Sequence, residues 1–318
     1  MEPYSVLSAR NSCIGVFAHN EEKRIIRALD CIELCLKGLQ VPITVLENGS
    51  SDNTLAVAKA YAMDRRHVQV MSLDIGDKSN AWNHFVHALD PVPEVVFFTD
   101  GDCWVQPDSL QQLYRTLCEQ PQANAVSAIP CTGRHRQQQI SYIVKEHQLV
   151  GNLYALRGTF VERIRQQNIF LPVGLIGDDA LVSALAKWNL SPFKHGWKDE
   201  LVVANINAQF GFDSLSPWKR KNWRTYWNRR VHYSRRKFEN IMLRRLIGIK
   251  GGLHGIPRHI QETYHLFEQT CKPKYRGLEG LFEWVAARKI KKYVTAQVPP
   301  GSRIIEKKKG SGGLPPGF

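Results

Sequence analysis

Acidic residues all but vanish from the last third of this chain. Asp213 is the final aspartate, and residues 215–318 carry only 6 Asp+Glu against 24 Lys+Arg, a surplus of +18. Residues 1–214 carry 19 Lys+Arg against 23 Asp+Glu, or −4, so the net +14 of the 318 residues belongs to one end. Such asymmetry implies an enzyme-like first part joined to a segment that meets something anionic. No run approaches the roughly 18 apolar residues of a membrane-spanning helix. The opening MEPYSVLSARNS has no charged start leading into an apolar stretch, which argues against a secretory signal. The seven cysteines are odd in number and form no CxxC pair. That disfavours a zinc site or a disulfide framework and suits reduced thiols in a cytoplasmic protein. No internal repeat is present.

What the chain does contain is alternation. CIGVF, ITVLE, VQVMSL, VVFFTD and AVSAIP are short apolar runs separated by helical patterns, the signature of an α/β layer fold. Ile25, Leu29, Ile32 and Leu36 recur at 4-3-4 spacing and predict a helix from about 22 to 39. Asp52 is placed to cap a helix over 53–63, Ser79 one over 79–89, and Pro107 to open the next. Helices on both faces of a mostly parallel, twisted sheet are expected, with ligands beyond the carboxyl ends of the strands. The expected division is an N-terminal arm (1–12), the α/β domain (13–214), a basic, aromatic-rich helical region (215–300) and a disordered tail (301–318).

Polar clusters stand at four strand ends: His19-Asn20-Glu21, Glu47-Asn48-Gly49, Gly76-Asp77-Lys78 and Asp100-Gly101-Asp102. Two carboxylates flanking a glycine repel each other unless a cation sits between them, and Mg²⁺ or Mn²⁺ favours carboxylate and phosphate oxygens. An acidic turn is the plainer reading of the same triplet. ENGSSDNT reads as a helix-capping turn or as a contact to a nucleotide base through Glu47 or Asn48. Lys78, at the mouth of a helix, suits a diphosphate or is a solvated surface lysine. In GLIGDDALVSAL one of Asp178 and Asp179 could cap the helix while the other serves as a general base.

The ordered series FAHNEE, VLENGSSDNT, GDKSNAWN, FFTDGDCWVQPDSL, GNLYALR and GDDALVSAL resembles glycosyltransferase family 2, the inverting enzymes of the GT-A fold. The likeness spans roughly residues 13–190. It implies a nucleotide-sugar donor, UDP-linked by preference, and a divalent metal, with Asn20, Glu21, Glu47 and Asn48 around the base and ribose. Lys78 would approach the diphosphate, Asp100 the ribose and the metal, and Asp102 would hold the metal. Asp179 matches the family's catalytic base and Asp178 the acidic residue before it, while Gly151 and Arg157 match a segment near the acceptor. Phe17 and His19 depart from the usual proline and tyrosine, and Glu47-Asn48 from the usual aspartate pair. The QxxRW motif of processive synthases is not intact at KRKNW, which favours single transfer. The first strand leads into AHNEE rather than a glycine-rich phosphate loop, which disfavours the sugar nucleotidylyltransferases.

In the basic region, Trp223, Trp227, Val231, Ser234, Phe238 and Ile241 follow a helical spacing among many arginines. Arg220, Trp223, Arg224 and Trp227 are the expected contacts to an anion or to the headgroups of an anionic membrane. GLFEWVAARKIKKYV repeats the theme. A lipid-linked or cell-envelope glycan acceptor at the inner face of the membrane is the favoured setting. Packing of this region on the catalytic domain, or binding or glycosylation of nucleic acid, are the alternatives.

Overall fold

A computed structural model describes residues 6–214, 223–274 and 276–297. Its chain divides into two compact units. The first comprises Met1–Asn168, Asp178–Leu190 and Trp197–Ser214; the second comprises Ile169–Gly177, Ser191–Gly196 and Leu215–Phe318. The expected tail, 301–318, and Arg220 lie outside the described residues.

The first unit is built on an eight-stranded mixed sheet: β1 (Ser12–Ala18), β2 (Ile43–Asn48), β3 (Val68–Leu73), β4 (Val95–Asp100), β5 (Cys103–Val105), β6 (Ala125–Pro130), β7 (Leu153–Arg157) and β8 (Val202–Phe212). Their order is β3-β2-β1-β4-β7-β6-β8-β5. The central strands β1, β2 and β6 are buried along their whole length, and β4 along all but its final aspartate. Strands covered on both faces read as continuous apolar runs rather than alternating ones. Parallel pairing of β1 with β2 and β4 sets Ala18 beside Glu47 and Phe17 beside Asp100. The strand-end clusters of the sequence therefore share one edge.

The sheet is less uniformly parallel than its apolar runs suggest. Strand β7 runs antiparallel to both its neighbours, β4 and β6, and β5 runs antiparallel to β8. Pairing of Thr99 with Leu153 brings Gly151 and Asn152 to the Asp100 end, where the Asn152 carbonyl accepts from Thr99 Oγ1 at 2.9 Å.

Helices α1 (Ile25–Leu36), α2 (Thr54–Ala62), α3 (Lys78–Ala88), α4 (Ser109–Glu119), α5 (Arg136–Lys145), α6 (Gly158–Gln166) and α7 (Asp178–Lys187) complete this unit. Ile25, Leu29, Ile32 and Leu36 are all fully buried, as their spacing requires. Asp77, not Ser79, caps α3, its carboxylate accepting from Asn80 N at 2.8 Å. Ser79 falls instead on the buried side of the first turn. Asp52 bonds to Thr54 N and Thr54 Oγ1 at the start of α2. Pro107 stands ahead of α4, with Asp108 in the left-handed conformation at its N-cap.

The second unit is helical: α8 (Trp223–Lys250), α9 (Phe267–Thr270) and α10 (Gly277–Gln297), with 3₁₀ turns at Leu253–Gly255 and Ile260–Leu266. Val231, Phe238, Met242 and Ile247 of α8 are buried with Tyr264, Phe267, Phe282 and Ile290. Of the residues that follow the helical spacing, Trp223, Trp227 and Ile241 are exposed. Glu239 is wholly buried here. Its carboxylate accepts from Arg235 Nε at 2.7 Å, from the Tyr264 hydroxyl at 2.7 Å and from Ile176 N at 3.1 Å.

Candidate active site

The carboxyl ends of β1, β2 and β4 and the first residue of α3 enclose a cleft of about 210 Å³. Phe17, Ala18, His19, Glu21, Asn48, Lys78, Asp100, Gly101 and Asp102 line it. At its centre Lys78 Nζ lies 2.5 Å from Asp100 Oδ1, 3.2 Å from the Gly151 carbonyl and 3.9 Å from Asp178 Oδ2. Burial alone favours a neutral amine, but Asp100 and then Asp178 hold the Lys78 ammonium well above the usual lysine range. Burial pushes the Asp100 carboxyl up to about 6 against the pull of Lys78. Below them Phe98 stacks on Tyr154 at 4.7 Å, and the Trp82 indole donates to the Tyr154 hydroxyl at 3.0 Å. That aromatic cluster is buried.

Two glycines keep the space around Lys78 tight. Gly101 N donates to the Phe17 carbonyl at 2.7 Å, and a Cβ at Gly101 would lie 3.0 Å from the same oxygen. A Cβ at Gly151 would lie 2.8 Å from Lys78 Nζ and 3.7 Å from Asp179 Cβ. Gly151 therefore brings β7, α3 and the acidic pair of α7 together.

Asp100, Asp102 and Cys103 present ligand-type atoms within 4.8 Å of one another. The Cys103 thiol is buried beside Asp100 and Asp102, which drives its pKa far above the usual range and keeps it protonated. A neutral thiol is a poor ligand for a hard cation, and one Asp100 oxygen is committed to Lys78. Asp102 has about a third of its side chain exposed to the cleft, with Arg24 Nη1 4.0 Å away. A donor set of one open carboxylate fits a cation such as Mg²⁺ or Mn²⁺ that completes its shell with phosphate oxygens and water.

The turn after β2 is held by its own network of hydrogen bonds. Glu47 is buried, and its two oxygens accept from Ser50 N at 2.6 Å and Ser72 Oγ at 2.8 Å. Burial opposes the charge, but the bonds from Ser50 and Ser72 and the His19 ring bring the Glu47 carboxyl below its ordinary value. Asn48 Oδ1 accepts from Asp77 N at 2.7 Å, and its carbonyl meets His19 Nδ1 at 2.6 Å. Asn20, left-handed at φ 58°, accepts from Ser51 N at 2.8 Å. Glu47 thus ties the turn to β3, and Asn48 ties it to the loop before α3. Glu21 faces the cleft, and burial pushes its carboxyl up to about 7 although Arg24 Nε sits 2.5 Å away.

Asp178 and Asp179 open α7, with Asp178 buried and Asp179 next to Gly151. Arg157 is not at this site. It pairs across from Val95, at the other end of β4, and its guanidinium donates to the carbonyls of Ala123, Leu117 and Gln120. The antiparallel direction of β7 sets Gly151, just ahead of it, and Arg157, its last residue, at opposite ends of β4. Trp223, Arg224 and Trp227 belong to the second unit, on the exposed side of α8. Two residues of the site were absent from the sequence reading. Arg24 links Glu21 to Asp102, and its one signal was the i,i+3 spacing from Glu21. Asn152 donates to Cys103 Sγ at 3.1 Å and has no local signature.

This sheet order, with an acidic triplet closing its fourth strand and a lysine set against it, defines a GT-A glycosyltransferase domain. Residues 13–170, just under half of the chain, match the model of glycosyl transferase family 2, the family that the ordered strand-end motifs resemble. No curated protein matches it in sequence. Among solved structures it is similar to the mannosyltransferase PcManGT from Pyrobaculum calidifontis in complex with GDP-Man and Mn²⁺. The identity there is 17%, with 95% of this chain and 80% of that one covered and a TM-score of 0.54. Residues 1–349 of TarS from S. aureus match at 14% identity, covering 97% and 99% of the two chains, with a TM-score of 0.47. Glucosyl-3-phosphoglycerate synthase from Mycobacterium tuberculosis, in complex with Mn²⁺, UDP-glucose and phosphoglyceric acid, matches at 17% identity. There 67% and 74% of the chains are covered, with a TM-score of 0.46.

Proposed function

We propose that this enzyme transfers a hexosyl or N-acetylhexosaminyl group from a nucleotide-diphosphate sugar, UDP-linked, to an acceptor hydroxyl, with inversion and once per encounter. The observation that carries this reading is the Lys78–Asp100 pair beside the open carboxylate of Asp102, in one cleft at the strand ends. A cation held at Asp102 with Asp100 alongside would supply charge neutralisation to the departing diphosphate. The Lys78 ammonium faces the same place and steadies the negative charge that develops as the anomeric C–O bond breaks. Asp179 accepts the proton of the acceptor hydroxyl as its oxygen forms the new bond to the anomeric carbon. Asp178 holds Lys78 from the far side. Asn20, Glu21, Glu47 and Asn48 border the base and ribose.

The acceptor we propose is a lipid-linked or cell-envelope glycan, met at the inner face of an anionic membrane by a cytoplasmic enzyme. The +18 of residues 215–318 supports this, since each Lys or Arg near such a surface is worth about 1 kcal/mol. No described helix is long and apolar enough to cross a membrane, so the attachment proposed is peripheral.

Thermal unfolding with a panel of UDP- and GDP-sugars, with and without Mn²⁺, tests the donor site. Stabilisation that needs both sugar nucleotide and Mn²⁺, and that disappears in Asp102→Ala, is the expected result. Equal stabilisation without the ion, or its persistence in that variant, overturns the metal assignment.

A further inference from the structure

We propose that the opening turns of α8 and the outward side of α10 form one lipid-facing surface that lies on an anionic bilayer. This rests on the peripheral-membrane reading above and assigns it to named residues. The two helix starts adjoin: the Trp227 and Phe282 rings stand 5.1 Å apart, and Arg230 pairs with Glu279 while lying 5.6 Å over Phe282. Around that contact Trp223, Trp227, Leu278, Leu281 and Trp284 are 64, 41, 67, 42 and 46% exposed.

The pattern along α10 has two parts. Phe282, Ala286, Ala287 and Ile290 are buried along one side. At 100° per residue, Leu278, Leu281, Trp284, Arg288 and Lys292 follow one another along the other side. Its first turns are apolar and its last turns basic, and the Arg288 guanidinium lies 5.5 Å over the Trp284 ring. A helix of this make-up sets its apolar residues at the boundary of headgroups and acyl chains and its cations among the phosphates.

Charge selects the occupant. Every described acid of α8–α10 and the turns between them is engaged within the unit. Glu239 bonds Arg235 and Tyr264, Glu262 the backbone of His259, Glu268 Lys291, Glu279 Arg230, and Glu283 Lys237 with Lys274 N. What this unit presents outward is therefore positive. A second copy of the chain would set cations against cations. A nucleic acid would satisfy the arginines and stack on tryptophan, but Leu278 and Leu281 have no face on which a base can stack. A bilayer with acidic headgroups accommodates both the charges and the aliphatic side chains.

The full chain is floated with vesicles of phosphatidylcholine alone and of phosphatidylcholine mixed with phosphatidylglycerol. Wild type is expected to float with the mixed vesicles and to be released by salt. The double variant Leu278→Glu, Leu281→Glu should lower partitioning by on the order of tenfold or more. Ile249→Glu, roughly 40 Å along α8 from Trp223, should leave it unchanged. Quenching of tryptophan fluorescence by brominated phosphatidylglycerol should fall in Trp284→Phe, and donor-dependent thermal stabilisation should be retained in all variants. If wild type floats and is quenched but the leucine and tryptophan variants match it, this surface is wrong while the membrane reading stands. If wild type fails to float at all, the membrane reading falls and this surface with it. Salt-sensitive oligonucleotide binding without flotation would assign the same cations to nucleic acid and overturn the proposal.

Discussion

Lys78 Nζ touches Asp100 Oδ1 at 2.5 Å and stands 3.9 Å from Asp178 Oδ2, so one ammonium joins the acidic strand end of β4 to the first residue of α7. Removing it leaves two neighbouring carboxylates, Asp100 and Asp178, without their shared counter-charge. Lys78→Ala should weaken nucleoside diphosphate binding by tenfold to a hundredfold, on the order of a charge-assisted hydrogen bond of ~1.5–3 kcal/mol. Isothermal titration of UDP in the presence of Mn²⁺ reads this directly. An unchanged affinity would remove Lys78 from the diphosphate.

Gly151→Ala separates the site from the fold. The added methyl meets the tip of a flexible lysine rather than backbone, at 2.8 Å from Nζ. Unfolding should shift little, while turnover falls by about tenfold as the ammonium leaves its position between Asp100 and the Gly151 carbonyl. A variant as active as wild type would show that the ammonium's placement is not needed.

Asp179→Asn keeps the shape of the side chain and loses the proton acceptor. Donor binding should persist while kcat drops by about 10²–10⁴, the usual contribution of general base catalysis. An equal loss of donor affinity would instead point to a binding role for Asp179.

Glu47 makes a pH-dependent contribution to stability. Its folded pKa is depressed below the ordinary 4.5, so its stabilisation is complete above that value and is lost as pH falls through the folded pKa. Glu47→Gln should cost ~1–2 kcal/mol at neutral pH and progressively less in acid. Denaturant unfolding across pH 3–7 would reveal the convergence, and parallel curves would rule the carboxylate out as its source.

Glu239 is the test of the second unit. Glu239→Ala leaves Arg235, the Tyr264 hydroxyl and Ile176 N without their common acceptor, at a cost of about 3 kcal/mol. The low end applies because about a quarter of the Arg235 side chain reaches solvent. Glu239→Gln, which can still accept, should lose less. Equal melting temperatures for wild type and the alanine variant would contradict the network's role.

Much of the catalytic unit was legible from local pattern. The face formed by Ile25, Leu29, Ile32 and Leu36, and the strand runs ending at Glu47 and Asp100, follow from side-chain periodicity, which a few neighbouring residues encode. The order of the strand-end motifs carried the family assignment, because each motif is a short turn whose residues lie together in the chain. Legibility failed where partners are distant. Strand β5 has three residues and exists through pairing with β8, about a hundred positions later. Asp77 displaced Ser79 as the cap because α3 begins one residue earlier, over the buried Trp82 and Phe85.

The sequence by itself determined an α/β sheet with its polar clusters on one edge and a basic region after it in the chain, since periodicity, turn chemistry and charge are properties of neighbouring residues. Only the tertiary structure decided which polar residues face the cleft. The antiparallel direction of β7 brought Gly151 to Lys78 and sent Arg157 to cap the carbonyls of Leu117, Gln120 and Ala123. The hydroxyl of Ser72 on β3 donates to one Glu47 oxygen, a contact that no local motif shows. In both cases the deciding partner is a strand distant along the chain, and packing, not local pattern, selects it.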